Sequence, residues 1–291
     1  MLNGNYNIYS EDCIEGMKKL DDQSVDFILT DLPYGIMSYK ADKKIDLSAM
    51  WEQFKRILKP RCVVALFANT RFTIELAMSN WEWYKYKYVW IKNFSTNFVN
   101  AKNFPMRLYE EILIFSGGVP VHEGQSDNKM RYYPQGLKPA TESKVHGGST
   151  ICLSSHIHNK NAKKKFGTTI HTSPSNVKEY TQQFTGYPTD VLCFDAPYNN
   201  NRFHPNQKPV PLLEYLIKTY SSEGDLVLDA TMGSASTGVA CINTNRDFAG
   251  YETNPEYYEA AKKRMIQAFN DKDAALWSDY YAEKSETPLQ V

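Results

Sequence analysis

Two acids at the ends of apolar runs are the residues of this 291-residue chain best placed to do chemistry. Asp31 opens Asp31-Leu32-Pro33-Tyr34-Gly35, directly after the run Val25-Asp26-Phe27-Ile28-Leu29-Thr30. A buried strand thus delivers a carboxylate, a proline-stiffened turn and an aromatic ring to one place. The same pentapeptide also suits a strand-ending turn with an exposed tyrosine, and alone it does not choose between the two. The second acid is Asp229. Leu226-Val227-Leu228 runs into Asp229-Ala230-Thr231-Met232-Gly233-Ser234-Ala235-Ser236-Thr237-Gly238, and Glu252 ends the next apolar run about twenty residues on. That spacing suits an adenosine-containing cofactor, with close backbone approach at the turn and the later acid on two ribose hydroxyls. The turn lacks the middle glycine of a dinucleotide triplet, which disfavours a nucleotide-dependent oxidoreductase. A helix cap beside a surface acid is the plain structural alternative.

Other candidates are weaker. His204-Pro205-Asn206-Gln207-Lys208-Pro209 places a charge beside a helix start. Asp195-Ala196-Pro197-Tyr198 repeats the Asp-x-Pro-Tyr pattern after Val191-Leu192-Cys193-Phe194, with a poorer flanking match than Asp31. His156 and His158 have no cysteine or acid at ligand spacing, so no metal site is expected. Lys160 and Lys163-Lys164-Lys165 suit contacts to nucleic-acid phosphates. Trp81, Trp83, Tyr84, Tyr86 and Tyr88 read as core.

The elements that must position these residues alternate between strand and helix, the pattern of a layered α/β domain. Strands are expected at Tyr6–Tyr9, Val25–Thr30, Cys62–Phe67, Tyr86–Ile91, Glu111–Phe115, Leu226–Leu228 and Asp247–Tyr251. Asp12 with Glu15 forms a capping box for a helix carrying Ile14, Met17 and Leu20. A second helix carries Leu47 to Leu58 and ends at Pro60, and a third carries Leu212 to Tyr220. Asn254-Pro255 is an N-cap followed by a first-turn proline, and Leu276, Trp277 and Tyr280 suggest a final helix. Residues 118–200 have poor periodicity, five of the six histidines, and nine Lys/Arg against six Asp/Glu, whereas the remainder holds 24 against 27. The expected fold is therefore α/β, one doubly wound domain from residues 1–117 and 201–291. Residues 118–200 form an inserted lobe over the carboxyl edge of the strands, where such folds bind ligands.

Composition narrows the class. With 33 basic and 33 acidic residues, any nucleic-acid affinity must come from local charge. No apolar run approaches the ~20 residues that span a bilayer, and Met1-Leu2-Asn3-Gly4-Asn5 has no signal-peptide pattern. The five cysteines (Cys13, Cys62, Cys152, Cys193, Cys241) are odd in number and lack a C-x-x-C, against a disulfide framework and for a reducing, cytoplasmic setting.

Several stretches carry a specific likeness. They are Asp12 to Met17, Ser24 to Gly35, Arg56-Ile57-Leu58-Lys59-Pro60, Trp90-Ile91-Lys92, Tyr109-Glu110-Glu111-Ile112-Leu113, His204 to Pro209 and Leu226 to Thr237. In that order they resemble the amino-DNA methyltransferases of the permuted type, whose catalytic motif precedes the cofactor motif. The likeness spans residues 5–116 and 187–268.

The resemblance implies a mostly parallel seven-stranded methyltransferase sheet with helices on both faces, S-adenosylmethionine as cofactor, and no metal. It implies that Tyr34 stacks on an extruded base, while Asp31 and the carbonyl of residue 32, stiffened by Pro33, accept the exocyclic amine hydrogens. Asp229, Thr231, Gly233 and Ser234 resemble the contacts near the cofactor's methionine end, Glu252 its ribose clamp, and Asp12 with Cys13 its adenine contacts. Asp31, Lys208, Ala230, Ala235, Thr237 and Thr253 complete the implied cofactor-binding set. Residues 118–200 would then supply target recognition, with Lys160 and Lys163–Lys165 on phosphates. The implied partner is double-stranded DNA in a bacterial or phage setting. A cognate restriction nuclease acting separately, and a monomer or homodimer, go with it. Asp at position 31 leans towards adenine N6, with cytosine N4 the alternative. Three departures from the family pattern are Leu32 for the usual Pro, Thr231 for the usual Phe and Ala235 for the usual second Gly. The last two also motivate a third reading, a non-catalytic DNA-binding module.

Overall fold

The computed structural model describes residues 6–33, 44–122, 124–140, 183–197 and 207–285, the last eleven by their backbone alone. In chain order the elements are β1 (Tyr6–Tyr9), α1 (Cys13–Met17), β2 (Val25–Thr30), α2 (Leu47–Ile57), β3 (Leu58–Ala68), α3 (Thr70–Ser79), β4 (Tyr84–Thr96) and β5 (Arg107–Ser116). There follow β6 (Lys138–Pro139), β7 (Phe184–Thr185), β8 (Val191–Cys193), α4 (Val210–Tyr220), β9 (Leu226–Asp229), α5 (Ser236–Asn243), β10 (Asp247–Tyr251) and α6 (Pro255–Ser285). The main sheet has the order β1-β10-β9-β2-β3-β5-β4-β8. Only β5 runs antiparallel to its neighbours.

The fold is the doubly wound α/β architecture, and alternation along the strands explains it. Phe27, Leu29, Val63, Ala65 and Phe67 face one core with Leu212, Leu216, Ile217 and Tyr220 of α4, Ala240 of α5 and Met265 of α6. Val25, Ile28, Val64 and Leu66 face the opposite core with Met17 of α1, Trp51, Phe54 and Ile57 of α2, and Phe72 and Leu76 of α3. All six residues of β2 are buried because both faces are covered. Each fully buried Val, Leu, Ile or Phe contributes roughly 1.5–3 kcal/mol, which fixes the strand ends that carry the site.

Several sequence expectations are corrected. The sheet has eight strands among the described residues rather than seven, the addition being the edge strand β8. Pro60 does not end a helix: α2 stops at Ile57 and β3 begins at Leu58, carrying Pro60 and then Arg61 at φ +65°. Asp12 caps α1 through bonds from the Ile14 and Glu15 amides, at 2.9 and 3.2 Å. The box is not closed, because Glu15 pairs with Lys18 at 2.6 Å. The segment of Leu276, Trp277 and Tyr280 is the continuation of α6 rather than a separate helix. Helix α3 was not anticipated at all.

The chain divides into two compact units, Met1–Tyr133 with Thr189–Val291, and Pro134–Pro188. The limits of 118 and 200 drawn from composition are therefore too wide. Residues 118–133 belong to the large unit because Arg131 pairs with Asp225 at 2.7 Å and Asp26 at 3.3 Å, and the Tyr133 amide donates to the Thr219 carbonyl at 2.8 Å. Residues 189–197 belong there because β8 adds to β4. Within the small unit, β6 and β7 pair antiparallel, Lys138 opposite Thr185.

Candidate active site

β2 and β9 run side by side, Phe27 opposite Val227 and Ile28 opposite Leu228, so the chain leaves the sheet after Thr30 and after Asp229 at neighbouring points. The two exits are tied. Thr231 Oγ1 donates to the Asp31 main-chain carbonyl at 3.0 Å and lies 2.9 Å from Thr30 Oγ1. Asp229, the last residue of β9, accepts from the Thr231 amide at 3.2 Å and from Thr237 Oγ1 at 2.6 Å. Burial pushes the Asp229 carboxyl up to about 6, against the hydrogen bonds from Thr237, Thr30 and the Thr231 amide that favour the ion. Thr231 thus joins both loops with a hydroxyl that no phenylalanine carries.

The Asp31 side chain meets Lys208, whose Nζ donates to Oδ2 at 2.6 Å. The ammonium of Lys208, expected among the cofactor contacts, sits on the Asp31 carboxylate and 3.1 Å from Glu110 Oε2. Glu110 Oε1 in turn takes Lys92 Nζ at 2.6 Å. Burial would raise the Glu110 carboxyl, but the two lysines outweigh it and hold it at about 2. Burial would likewise lower Lys208, and its two carboxylates reverse this and raise it. Pro33 follows directly and is half-buried, and Leu32 is buried, its side chain in the core.

The turn after β9 takes its shape from two residues at positive φ, Gly233 at +50° and Ala235 at +53°. Ala235 occupies the left-handed region at a cost of roughly 1–2 kcal/mol that glycine avoids. Arg264 of α6 holds this turn from behind, its Nη1 donating to the Ser234 carbonyl at 2.9 Å, Ser234 Oγ at 3.1 Å and Ser236 Oγ at 2.9 Å. Burial lowers the Arg264 guanidinium to about 10. The Met232 amide donates to the Tyr251 carbonyl at 2.9 Å, which fastens the turn to the end of β10.

Beyond β10 stands Glu252, half-buried, with its amide on the Tyr9 carbonyl at 3.0 Å. The Asn254 amide donates to its Oε1 at 2.7 Å. Burial raises its carboxyl despite amide bonds from Asn254, Gly233 and Thr253. β1 pairs with β10, Tyr9 opposite Tyr251, so Asp12 and Cys13 follow the neighbouring strand end. Cys13 is buried, and burial first, then the Asp12 charge, push its thiol up to about 12.

Asp31, Lys208, Asp229, Ala230, Thr231 and Thr237 therefore form one cluster, with Gly233, Ser234 and Ala235 in its turn. Asp12, Cys13, Glu252 and Thr253 gather at the adjoining strand ends. Tyr34, Lys160, Lys163, Lys164 and Lys165 lie outside the described residues, as do His156, His158 and His204. The second Asp-x-Pro-Tyr is displaced: Asp195 follows β8, four strands from β2, or about 19 Å at ~4.8 Å per strand. Among the described residues no group of His, Cys, Asp and Glu could hold a metal. Thr30, Lys92, Glu110 and Arg264 were missed as site residues. Thr30, Lys92 and Glu110 lay inside quoted motifs, but only long-range pairing reveals their contacts.

Comparison with known proteins identifies the family. The family model N6_N4_Mtase, described as DNA methylase, matches residues 25–263. Type II methyltransferase M.HpaI of Haemophilus parainfluenzae is 24% identical over 271 residues, 90% of this chain and 74% of that protein. DNA adenine methyltransferase YhdJ of Escherichia coli (strain K12) is 29% identical over 265 residues, 87% of this chain and 80% of its own length. Among solved structures, the M1.HpyAVI–SAM complex superposes with a TM-score of 0.55 at 24% identity, covering 89% of this chain and 99% of that one. The cofactor of this family is S-adenosylmethionine. With the family model spanning both strand-end acids, the chain belongs to the DNA methylases of the N6-adenine/N4-cytosine type.

Proposed function

We propose that this chain transfers the methyl group of S-adenosylmethionine to N6 of an adenine extruded from a specific sequence in duplex DNA. The observation that carries this reading is the joining of Asp31 to the cofactor turn through Thr231, which sets an acceptor for an amine beside the turn beneath a bound cofactor. An exocyclic amine cannot be reached inside the stack, so the base must leave the helix. Its lone pair is delocalised into the ring. Acceptance of its hydrogens by Asp31 and the carbonyl of Leu32 favours a pyramidal nitrogen whose lone pair is free to attack. Tyr34 supplies the stacking surface and Pro33 the stiffness of the turn.

The residues present fit the cofactor. Asp229 is a buried acid whose ionisation is costly without a cation, which suits the methionine ammonium, and Glu252 offers two oxygens to a ribose diol. Asp12 and Cys13 would flank the adenine, with Ala230, Gly233, Ser234, Ala235, Thr237 and Thr253 around the rest. When bound, this group supplies an electrophilic methyl on a sulfonium sulfur. Lys208 acts on the Asp31 side of that contact rather than on the cofactor. Of the two residues that motivated the non-catalytic alternative, Thr231 bonds the turn to Asp31 and Ala235 adopts the left-handed φ of the turn, which supports the catalytic reading.

The inserted region carries target recognition, with base edges read in the major groove and Lys160 and Lys163–Lys165 on phosphates. The setting is the cytoplasm of a bacterial or phage-infected cell, with any cognate nuclease acting separately. Adenine is preferred over cytosine N4 because Asp rather than Ser stands at position 31, in line with the similarity to the DNA adenine methyltransferase YhdJ. Mass spectrometry of nucleosides from DNA incubated with the protein and cofactor tests this. N6-methyladenine is the expected product; N4-methylcytosine would select the alternative, and neither would overturn both.

A further inference from the structure

Lys92, Glu110, Lys208 and Asp31 form a chain of alternating charge along the carboxyl edge of the sheet. Lys92 comes from β4, Glu110 from β5, Lys208 from the residues before α4, and Asp31 from the end of β2. The contacts are 2.6 Å from Lys92 to Glu110, 3.1 Å from Glu110 to Lys208 and 2.6 Å from Lys208 to Asp31. Aromatic rings flank both cations, Trp90 lying 5.6 Å from Lys92 Nζ and Phe67 4.9 Å from Lys208 Nζ. The side chains of Lys92 and Lys208 are only 9% and 10% exposed. Buried charges at this density survive only when each is matched, and removal of one partner strands another.

The neighbouring Glu111 is spent elsewhere, on Thr73 at 2.6 Å and on Lys87. Glu110 faces Lys92 and Lys208 instead. Its carboxylate bridges two lysines, one of which ends on the acid that receives the base. Methyl transfer itself needs Asp31 as a charged acceptor pointing in one direction, and a carboxylate on a strand end has two soft torsions with which to miss.

We propose that Glu110, backed by Lys92, is a positioning residue for methyl transfer: it holds the Lys208 ammonium against Oδ2 of Asp31 and so fixes the charge and direction of the acceptor. This inference rests on the assignment of Asp31 as the amine acceptor. Glu110 meets Lys208 and Lys92, and its link to Asp31 runs through Lys208. Its effect belongs on the rate of transfer, not on the affinity for either substrate.

The test uses the full chain with radiolabelled S-adenosylmethionine and duplex DNA in single turnover. Glu110→Gln is expected to lower the transfer rate roughly 10- to 100-fold while the dissociation constants for cofactor and DNA change less than 3-fold. It is also expected to introduce a decline of rate at alkaline pH, because Lys208 without Glu110 loses its proton more readily, a shift that loosened packing does not produce. Glu110→Asp keeps the charge and is expected to restore the alkaline profile and part of the rate. Since Glu110→Gln leaves two lysines facing each other, the charge-balanced double variant Glu110→Gln/Lys92→Met guards against simple misfolding. It is expected to melt near the wild-type temperature yet remain slow. Wild-type transfer by the folded double variant would overturn the inference and reduce Glu110 to a neutralising partner. Asp31→Ala, run in parallel, separates the two readings. If it too transfers methyl groups normally, the assignment of Asp31 fails; if it alone is inactive, only the role of Glu110 fails.

Discussion

Asp229 and Asp31 are both acids at strand ends, yet their surroundings give them different work. Asp229 is closed in by hydroxyls and a main-chain amide, and burial holds its carboxyl near 6. Since the folded-state value lies above the ordinary 3.8, the proton favours the folded chain. The stabilisation is full below the ordinary value and is lost as pH rises through about 6. A cationic ligand on this acid requires the opposite state. Affinity for S-adenosylmethionine is therefore predicted to fall as pH drops below about 6, with proton release on binding. Calorimetry at pH 5.5 in two buffers of different ionisation enthalpy measures that release, and an affinity that stays flat between pH 5 and 8 would remove Asp229 from the cofactor contacts. Asp229 was legible as a strand-end acid. Thr231 was legible only as a departure from the family pattern, because its partners Thr30 and Asp31 stand 201 and 200 positions away.

Elements decide whether those residues meet. The strands were readable because coverage on both faces makes each one a continuous apolar run, as in β2 and β3. Helix α3 escaped because it begins at Thr70 with φ +50° and buries only Phe72, Thr73 and Leu76, too thin a stripe to show periodicity. The boundary of α2 was misplaced because Pro60 looks like a helix stop, although its φ also suits a strand position that needs no amide. Helix α6 has a part that periodicity did not suggest: Arg264 clamps the cofactor turn through three hydrogen bonds to Ser234 and Ser236. Arg264→Leu keeps the aliphatic packing and removes the clamp. It is predicted to weaken cofactor binding by about 1–2 kcal/mol, roughly 5- to 30-fold, while the circular dichroism spectrum is unchanged. Equilibrium dialysis with labelled cofactor gives the number, and an unaltered dissociation constant would show that the turn holds its shape without α6.

At the scale of the molecule, equal numbers of acids and bases leave DNA binding to local patches. Composition located an irregular, basic stretch between two arms of one α/β domain, but drew it too long at both ends. It could not anticipate that Arg131 and β8 tie the flanks of that stretch to the large unit, since an ion pair and an edge strand of three residues leave no periodic trace. The lysines in this stretch make a prediction that is independent of catalysis. Replacing Lys160, Lys163, Lys164 and Lys165 by Gln should reduce the slope of log affinity for DNA against log salt by about 0.9 for each lysine that meets a phosphate. Cofactor affinity should not change. A salt titration of fluorescently labelled duplex reads the slope, and an unchanged value would move the phosphate contacts to another surface. No described helix is long and apolar enough to cross a membrane.

The central claim is that the Asp31 carboxylate receives the amine of an extruded base beside the cofactor, and one variant tests it most directly. Asp31→Ala leaves Lys208 paired with Glu110 and the Thr231 bond to the main-chain carbonyl in place, so the turn and the fold should persist. Cofactor affinity within a few-fold of wild type, together with a loss of single-turnover methyl transfer of at least about 100-fold, is the result expected for a lost transition-state acceptor. Methyl transfer at the wild-type rate by the folded, cofactor-bound variant would contradict it.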